Sequence, residues 1–180
     1  MSNSIRTWLT LGLVLLLGAI TPLRADAPSR EYQLKAAFIY NFAQFIEWPD
    51  KAFAKANSPI VITVLGDNPF GNVLDQVTKG KQIRGREIVV HYEKNPANIG
   101  QTHILFIGAP HNQNPGQILG GLNGVLTIAD TDNFTGAGGM IRFFSEENKL
   151  RFEINTKATD KAGIKVSAKL LQLAKVYKDD

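Results

Sequence analysis

The chain has 180 residues, with 20 Lys and Arg against 16 Asp and Glu, a formal net charge of +4 and no cysteine. That length suits one domain with a sizeable core, and the missing thiols exclude disulfide scaffolding, cysteine nucleophiles and thiol redox control. The basic residues form no stripe with interleaved aromatics, which argues against nucleic-acid binding.

The N-terminus carries Arg6 and then an apolar run from Trp8 to Ile20, closed by Pro22 and small residues. This is the pattern of a secretory signal. An uncleaved anchor would need about 20 apolar residues, more than this run supplies. Cleavage is expected after Ala25, in preference to Ala27, where Pro28 would adjoin the cut bond. Residues 1–25 are then a signal peptide and residues 26–180 a single exported domain. Removing Arg6 and Arg24 leaves 18 basic residues against 16 acidic ones, so the sequence pI overstates the basic character of the mature chain.

The segment "LKAAFIYNFAQFIEWP", Leu34 to Pro49, places Leu34, Phe38, Ile39, Phe42, Phe45 and Ile46 on one helical arc and Asn41, Gln44 and Glu47 opposite. Lys35 falls within the apolar arc and is expected to pack its stem while the ammonium reaches water. The helix should end at Trp48, because a residue preceding proline is pushed out of the helical region. "PIVITVLGDN" is a nearly continuous β-branched run, a strand covered on both faces. Asn68 is placed to cap a helix with Pro69 at its first position and Phe70, Val73, Leu74 and Val77 on one face, ending at Gly80.

"REIVVHYE", "HILFIG" and "GVLTIAD" supply three further strands, with a short helix around Gln117–Leu122 before the last. This alternation predicts an α/β domain with a mainly parallel sheet flanked by helices. "GGMIRFFS" and "KLRFEIN" alternate at period two around Glu146, Glu147 and Asn148, an antiparallel hairpin. "AGIKVSAKLLQLAKVY" reads as a closing helix with Val166, Leu170, Leu173 and Tyr177 on its packing face.

No catalytic set assembles. His91, His103 and His111 lack the spacing of a helical zinc pair, and no nucleophile elbow, P-loop or dinucleotide fingerprint occurs. No metal or other cofactor is therefore expected. His91 and His103 read as packed or edge histidines. Asp67, His111 and Asp130 all follow parallel strands, at the carboxyl ends where open α/β sheets bind ligands. They form either a small-ligand site or local turns and caps. Trp48 and Phe53, beyond the first helix, are either core-rim packing or anchors for a protein partner.

Several stretches in order, "KAAFIYNFAQFIEWP", "VLGDNPFG", "GREIVV", "THILFIG", "GVLTIAD", "GGMIRFF" and "LRFEINTKATDKAGIKVSAKLLQLAKV", resemble the YfiR family of periplasmic regulatory proteins. The resemblance implies a non-catalytic periplasmic repressor, often dimeric. Its implied partner is the periplasmic sensor region of an inner-membrane diguanylate cyclase, with release by an outer-membrane lipoprotein. Better-known members carry paired cysteines; one such position corresponds to Thr102, so their redox dependence does not carry over. A periplasmic small-ligand sensor is the alternative.

Overall fold

A computed structural model describes residues 28–178; the signal-peptide reading of residues 1–25 and both candidate cleavage positions lie outside them. Helix α1 (Arg30–Phe45) starts where the Ser29 hydroxyl accepts a hydrogen bond from the Tyr32 N–H, satisfying one free backbone donor of the first turn. Its buried face is Lys35, Ala36, Ile39, Phe42 and Ala43. That face is turned slightly from the expected arc, and Leu34 is left exposed. The helix ends earlier than Trp48 requires, because Ile46–Glu47 extend into a short strand, β1.

Strand β2 (Ile60–Leu65) is buried throughout, as its unbroken β-branched run predicts. Asn68 caps a turn rather than a helix: its Oδ1 accepts from Phe70 N–H at 2.9 Å and its Nδ2 donates to Gly71 O at 2.8 Å. The local Asx geometry wins because it satisfies both ends of one side chain, and helix α2 begins only at Val73 and runs to Thr78. Strands β3 (Gln82–Ile83) and β4 (Arg86–Glu93) follow, joined at Arg84 and Gly85, both with positive φ. The succession continues with β5 (Ile104–Ile107), α3 (Gly116–Leu119) and β6 (Leu126–Ala129). Next comes the predicted hairpin, β7 (Ile141–Glu146) and β8 (Lys149–Ile154), turning at Glu147 and Asn148, both with positive φ.

The expected closing helix is divided. Helix α4 (Thr156–Lys161) is followed by Gly163 at φ 71°, then by strand β9 (Lys165–Val166), helix α5 (Ala168–Leu171) and strand β10 (Lys175–Val176). Two local signals divide it. Gly163 adopts the left-handed conformation that ends helices, and the Ser167 hydroxyl caps α5 by accepting from Leu170 N–H. Of the residues assigned to the packing face, Leu170 is buried, Leu173 is 65% exposed, and Val166 pairs with Ile46 in a two-stranded ribbon of β1 and β9.

The remaining strands form one eight-stranded sheet in the order β10-β8-β7-β6-β5-β2-β4-β3. The neighbours from β4 through β2, β5 and β6 to β7 are parallel, as are β8 and β10, whereas β7–β8 and β3–β4 are antiparallel. The chain is thus a single α/β domain with a mainly parallel sheet. On one face α1, α2 and α5 cover Ile60, Ile62, Val64, Ile104, Phe106, Leu126, Ile128, Phe143 and Phe152. On the other, α3 and its loop cover Leu65, Leu105, Ile107, Ala129 and Phe134. Alternate residues of the same strands therefore serve different layers.

Two charged groups enter this core. Lys35 is 3% exposed, not solvated as its position in the first turns suggested. Its Nζ lies 2.6 Å from Asp130 Oδ2 and 2.6 Å from Glu31 Oε1. Glu153 is 5% exposed and accepts hydrogen bonds from Arg142 Nε, at 2.8 Å, and from the Thr135 hydroxyl. Burial by itself would raise this carboxyl; those bonds, with the charges of Arg142 and Lys175, together hold it below its ordinary value.

Candidate functional site

The carboxyl ends of the central strands are laced by backbone. Gly108 N–H donates to Leu65 O and Asp67 N–H to Ala109 O, at 2.8 and 2.7 Å. A side chain at Gly66 would meet Ala109 O at 2.4 Å, so the close approach of these two loops requires glycine there. Asp67 points outward and pairs with Lys94 Nζ at 2.7 Å, both side chains well exposed. His111 Nε2–H donates to the Lys94 carbonyl at 2.8 Å.

Asp67 and His111 therefore gather around Lys94. Asp130 is engaged elsewhere, under α1, where it accepts from Tyr32 OH at 2.8 Å and from Lys35. Burial, and then the Asp130 hydrogen bond and charge, push the Tyr32 phenol far above its ordinary value. A surface ion pair such as Asp67–Lys94 contributes under about 1 kcal/mol. A cleft of about 720 Å³ opens at the opposite end of the sheet, where Lys51, Gln101, Thr102, Gln117 and Asn123 supply polar side chains.

Trp48 and Phe53 converge on a different feature. The chain turns at Pro49 through one 3₁₀ turn, Asp50–Ala52, and brings the two rings to 6.3 Å, edge to face. Behind them His103 is 1% exposed and stacks on Phe53 at 4.4 Å, and Trp48 Nε1–H donates to its carbonyl oxygen. The Arg86 guanidinium lies over the outer part of this assembly, 3.7 Å from the Phe53 ring centre, and donates to Ser58 O at 2.7 Å. Arg84 donates to Ile46 O at 3.1 Å, and its side chain is 52% exposed. Trp48, Phe53, Asp50, Ile83, Arg84 and Arg86 border a pocket of about 260 Å³.

The arrangement offers half-buried aromatic walls with two guanidinium groups in the lining. It suits an apolar side chain flanked by a hydrogen-bond acceptor or carboxylate. The two arginines and the share of His103 are not legible in sequence, because the arginines arrive on the β3–β4 hairpin and His103 from the head of β5, segments that meet only in the folded sheet. The "RGR" at Arg84–Arg86, a glycine turn just ahead of a clear strand, was the signal available.

The hydrogen bonds assign the His103 tautomer. Nδ1 accepts from Val61 N–H at 3.0 Å, so Nε2 carries the proton and donates to Ala52 O at 3.1 Å. Protonating Nδ1 would break the first bond. Burial is the main cause that lowers its pKa from 6.5, aided by the Arg86 charge and opposed by the Ala52 bond. The folded value lies below the unfolded one, so the unfolded chain binds the extra proton more readily. Stability from neutral His103 is thus full above about pH 6.5 and lost as pH falls through the folded pKa. Denaturant midpoints should drop between about pH 7.5 and about pH 5.5, above the range in which Glu153 titrates. In His103→Gln that drop should shrink; an unchanged drop would assign it to other groups.

The model of a known protein family matches residues 32–175, from the first turn of α1 to the first residue of β10. The chain belongs to the YfiR/HmsC-like family. The YfiR/HmsC-like match spans every element that builds the Trp48–Phe53 pocket and the Lys35–Asp130 pair. No curated protein matches this YfiR/HmsC-like chain. Among the described residues no helix is long and apolar enough to cross a membrane, and no group of three or more His, Asp or Glu side chains is placed to hold a metal ion.

Proposed function

We propose that this protein is a non-catalytic periplasmic regulator. In this reading it binds and represses the periplasmic sensor region of an inner-membrane signalling protein, a diguanylate cyclase, and so lowers cyclic di-GMP. An outer-membrane lipoprotein would release it. The observation that carries the reading, beside family membership, is the Trp48–Phe53 pair: paired half-buried aromatics lining a pocket together with two arginines have the composition of an interface anchor. Repression requires tighter binding to one state of the sensor than to the other, by several kcal/mol for a near-complete switch.

Deleting the gene should raise cyclic di-GMP, and the exported protein should restore the low level where a version lacking residues 2–25 does not. Arg84→Glu, at an exposed side chain, should weaken sensor binding at least about tenfold without lowering the melting temperature. Unchanged nucleotide on deletion would remove the cyclase. It would leave a small-ligand sensor, with the 720 Å³ cleft as its site, as the better reading.

A further inference from the structure

The cleft of about 720 Å³ lies at the amino ends of β5 and β6, between the Pro96–Asn98 turn, the end of α3 and the Asp50–Ala52 turn. A second depression, of about 310 Å³, adds Pro49, Lys161 and Ala162. Lys51, Ala52, Asn123 and Gly124 border both, so the two are continuous. Neither shares a lining residue with the Trp48–Phe53 pocket.

The charge of this lining is one-sided. It holds two ammonium groups, Lys51 and Lys161, and no carboxylate. Asp50, next to Lys51 in the chain, borders the Trp48–Phe53 pocket instead, and Asp160, next to Lys161, lines neither depression.

Its polar groups are also mostly unspent. The side chains of Lys51, Gln117, Asn123 and Lys161 make no hydrogen bond or ion pair with the described residues, and neither do the backbone N–H groups of Gly100 and Gly124. By contrast, Gln101 Nε2 donates to Ala52 O at 3.1 Å, and the Thr102 hydroxyl bonds inward to the Val61 and Ile104 carbonyls. Beside these free groups the wall is apolar: Ile99, Ile118 and Leu122 are half-buried against the α3-side core, and Val125 is 7% exposed. A few convergent polar groups on an apolar wall are the composition of a small-molecule site.

We propose that this cleft binds a small carboxylate that carries an amide and an aliphatic side chain, an acyl amino acid or short peptide. The carboxylate goes to Lys51 and Lys161, where no acidic group competes for them. The ligand amide pairs with Gln117 and Asn123, because a primary amide offers both a donor and an acceptor to it, and the free N–H groups of Gly100 and Gly124 add donors. The aliphatic chain lies against Ile99, Ile118 and Leu122. This inference goes beyond the regulator reading and does not depend on it, since the two sites have separate linings.

The test titrates the isotope-labelled protein, purified after export of the full chain, with N-acetyl-leucine and follows its amide resonances by NMR. Saturable shifts should appear at Gly100, Gly121 and Gly124 and at the side-chain amides of Gln117 and Asn123. The dissociation constant should be roughly 1–10 mM, ordinary for a ligand of about a dozen heavy atoms. N-acetyl-leucinamide, which lacks the charge, should bind at least about fivefold more weakly, and so should glucuronate, which keeps the charge without amide or aliphatic chain. Lys51→Gln with Lys161→Gln, at exposed positions, should weaken N-acetyl-leucine at least about fivefold and erase its advantage over the leucinamide, with an unchanged melting temperature. Absence of saturable shifts, or shifts confined to Arg84 and Arg86, overturns the proposal. So does equal binding of the leucinamide or of glucuronate to the parent, or a double variant that binds like the parent.

Discussion

Phe42→Ala should destabilise the protein by about 3–5 kcal/mol. The ring is fully buried and sits among three others, 4.9 Å from Phe152, 5.7 Å from Phe143 and 6.0 Å from Phe38, centre to centre. Truncation removes both the transfer free energy of the ring and its contacts. The cavity cannot collapse easily, because its walls belong to α1 on one side and to the β7–β8 hairpin on the other. Gln44→Ala, on the exposed face of the same helix, should shift the urea midpoint hardly at all. Equal midpoints for parent and Phe42→Ala would disprove the packing of α1 on the hairpin.

The second large effect belongs to the buried ion pair. Asp130→Ala should cost about 3 kcal/mol or more, because it leaves the Lys35 ammonium, 4% exposed, with Glu31 as its one carboxylate partner among the described residues, and Glu31 is half in water. The Tyr32 hydroxyl loses its acceptor in the same change. Lys35→Met should be similarly costly, since it strands Asp130 at 14% exposure. Combining Lys35→Met with Asp130→Leu should recover most of the loss, because apolar groups of similar volume need no partner there. A double-mutant cycle in urea measures the coupling. Single variants within about 0.5 kcal/mol of the parent would show that water reaches the pair.

The strands of the central sheet were legible because burial on both faces leaves an unbroken apolar run, and the hairpin because one exposed face imposes alternation. Helix α1 showed itself through its aromatic spacing. What sequence could not show is how distant segments meet. The pattern marked Lys35 as an intruder on an apolar face, but nothing local named Asp130 as its partner. The helical period across residues 162–177 was real, yet Gly163 and Ser167 outweighed it once β1 and β8 offered strand partners to the residues on either side of α5. For the candidate site, the aromatic anchors were legible as loop-borne rings beside a proline, whereas Arg84, in the turn after the two-residue β3, and Arg86, at the head of β4, are brought to those rings by a hairpin whose first strand is too short to leave a pattern.

The partners of α1 lie far along the chain. Lys35 and Tyr32 reach Asp130 across 95 and 98 positions, and Phe42 meets Phe143 and Phe152. An isolated helix of this length is marginal in water. A chain emerging from its N-terminus, at a ribosome or a membrane pore, therefore presents Phe38, Phe42 and Phe45 well before any surface exists to receive them. Such non-local topology folds slowly, and the waiting aromatic segment is the part that a holding chaperone would meet first. A version truncated before the β7–β8 hairpin should leave that segment permanently uncovered, and hence aggregate or be degraded rather than persist as a smaller domain.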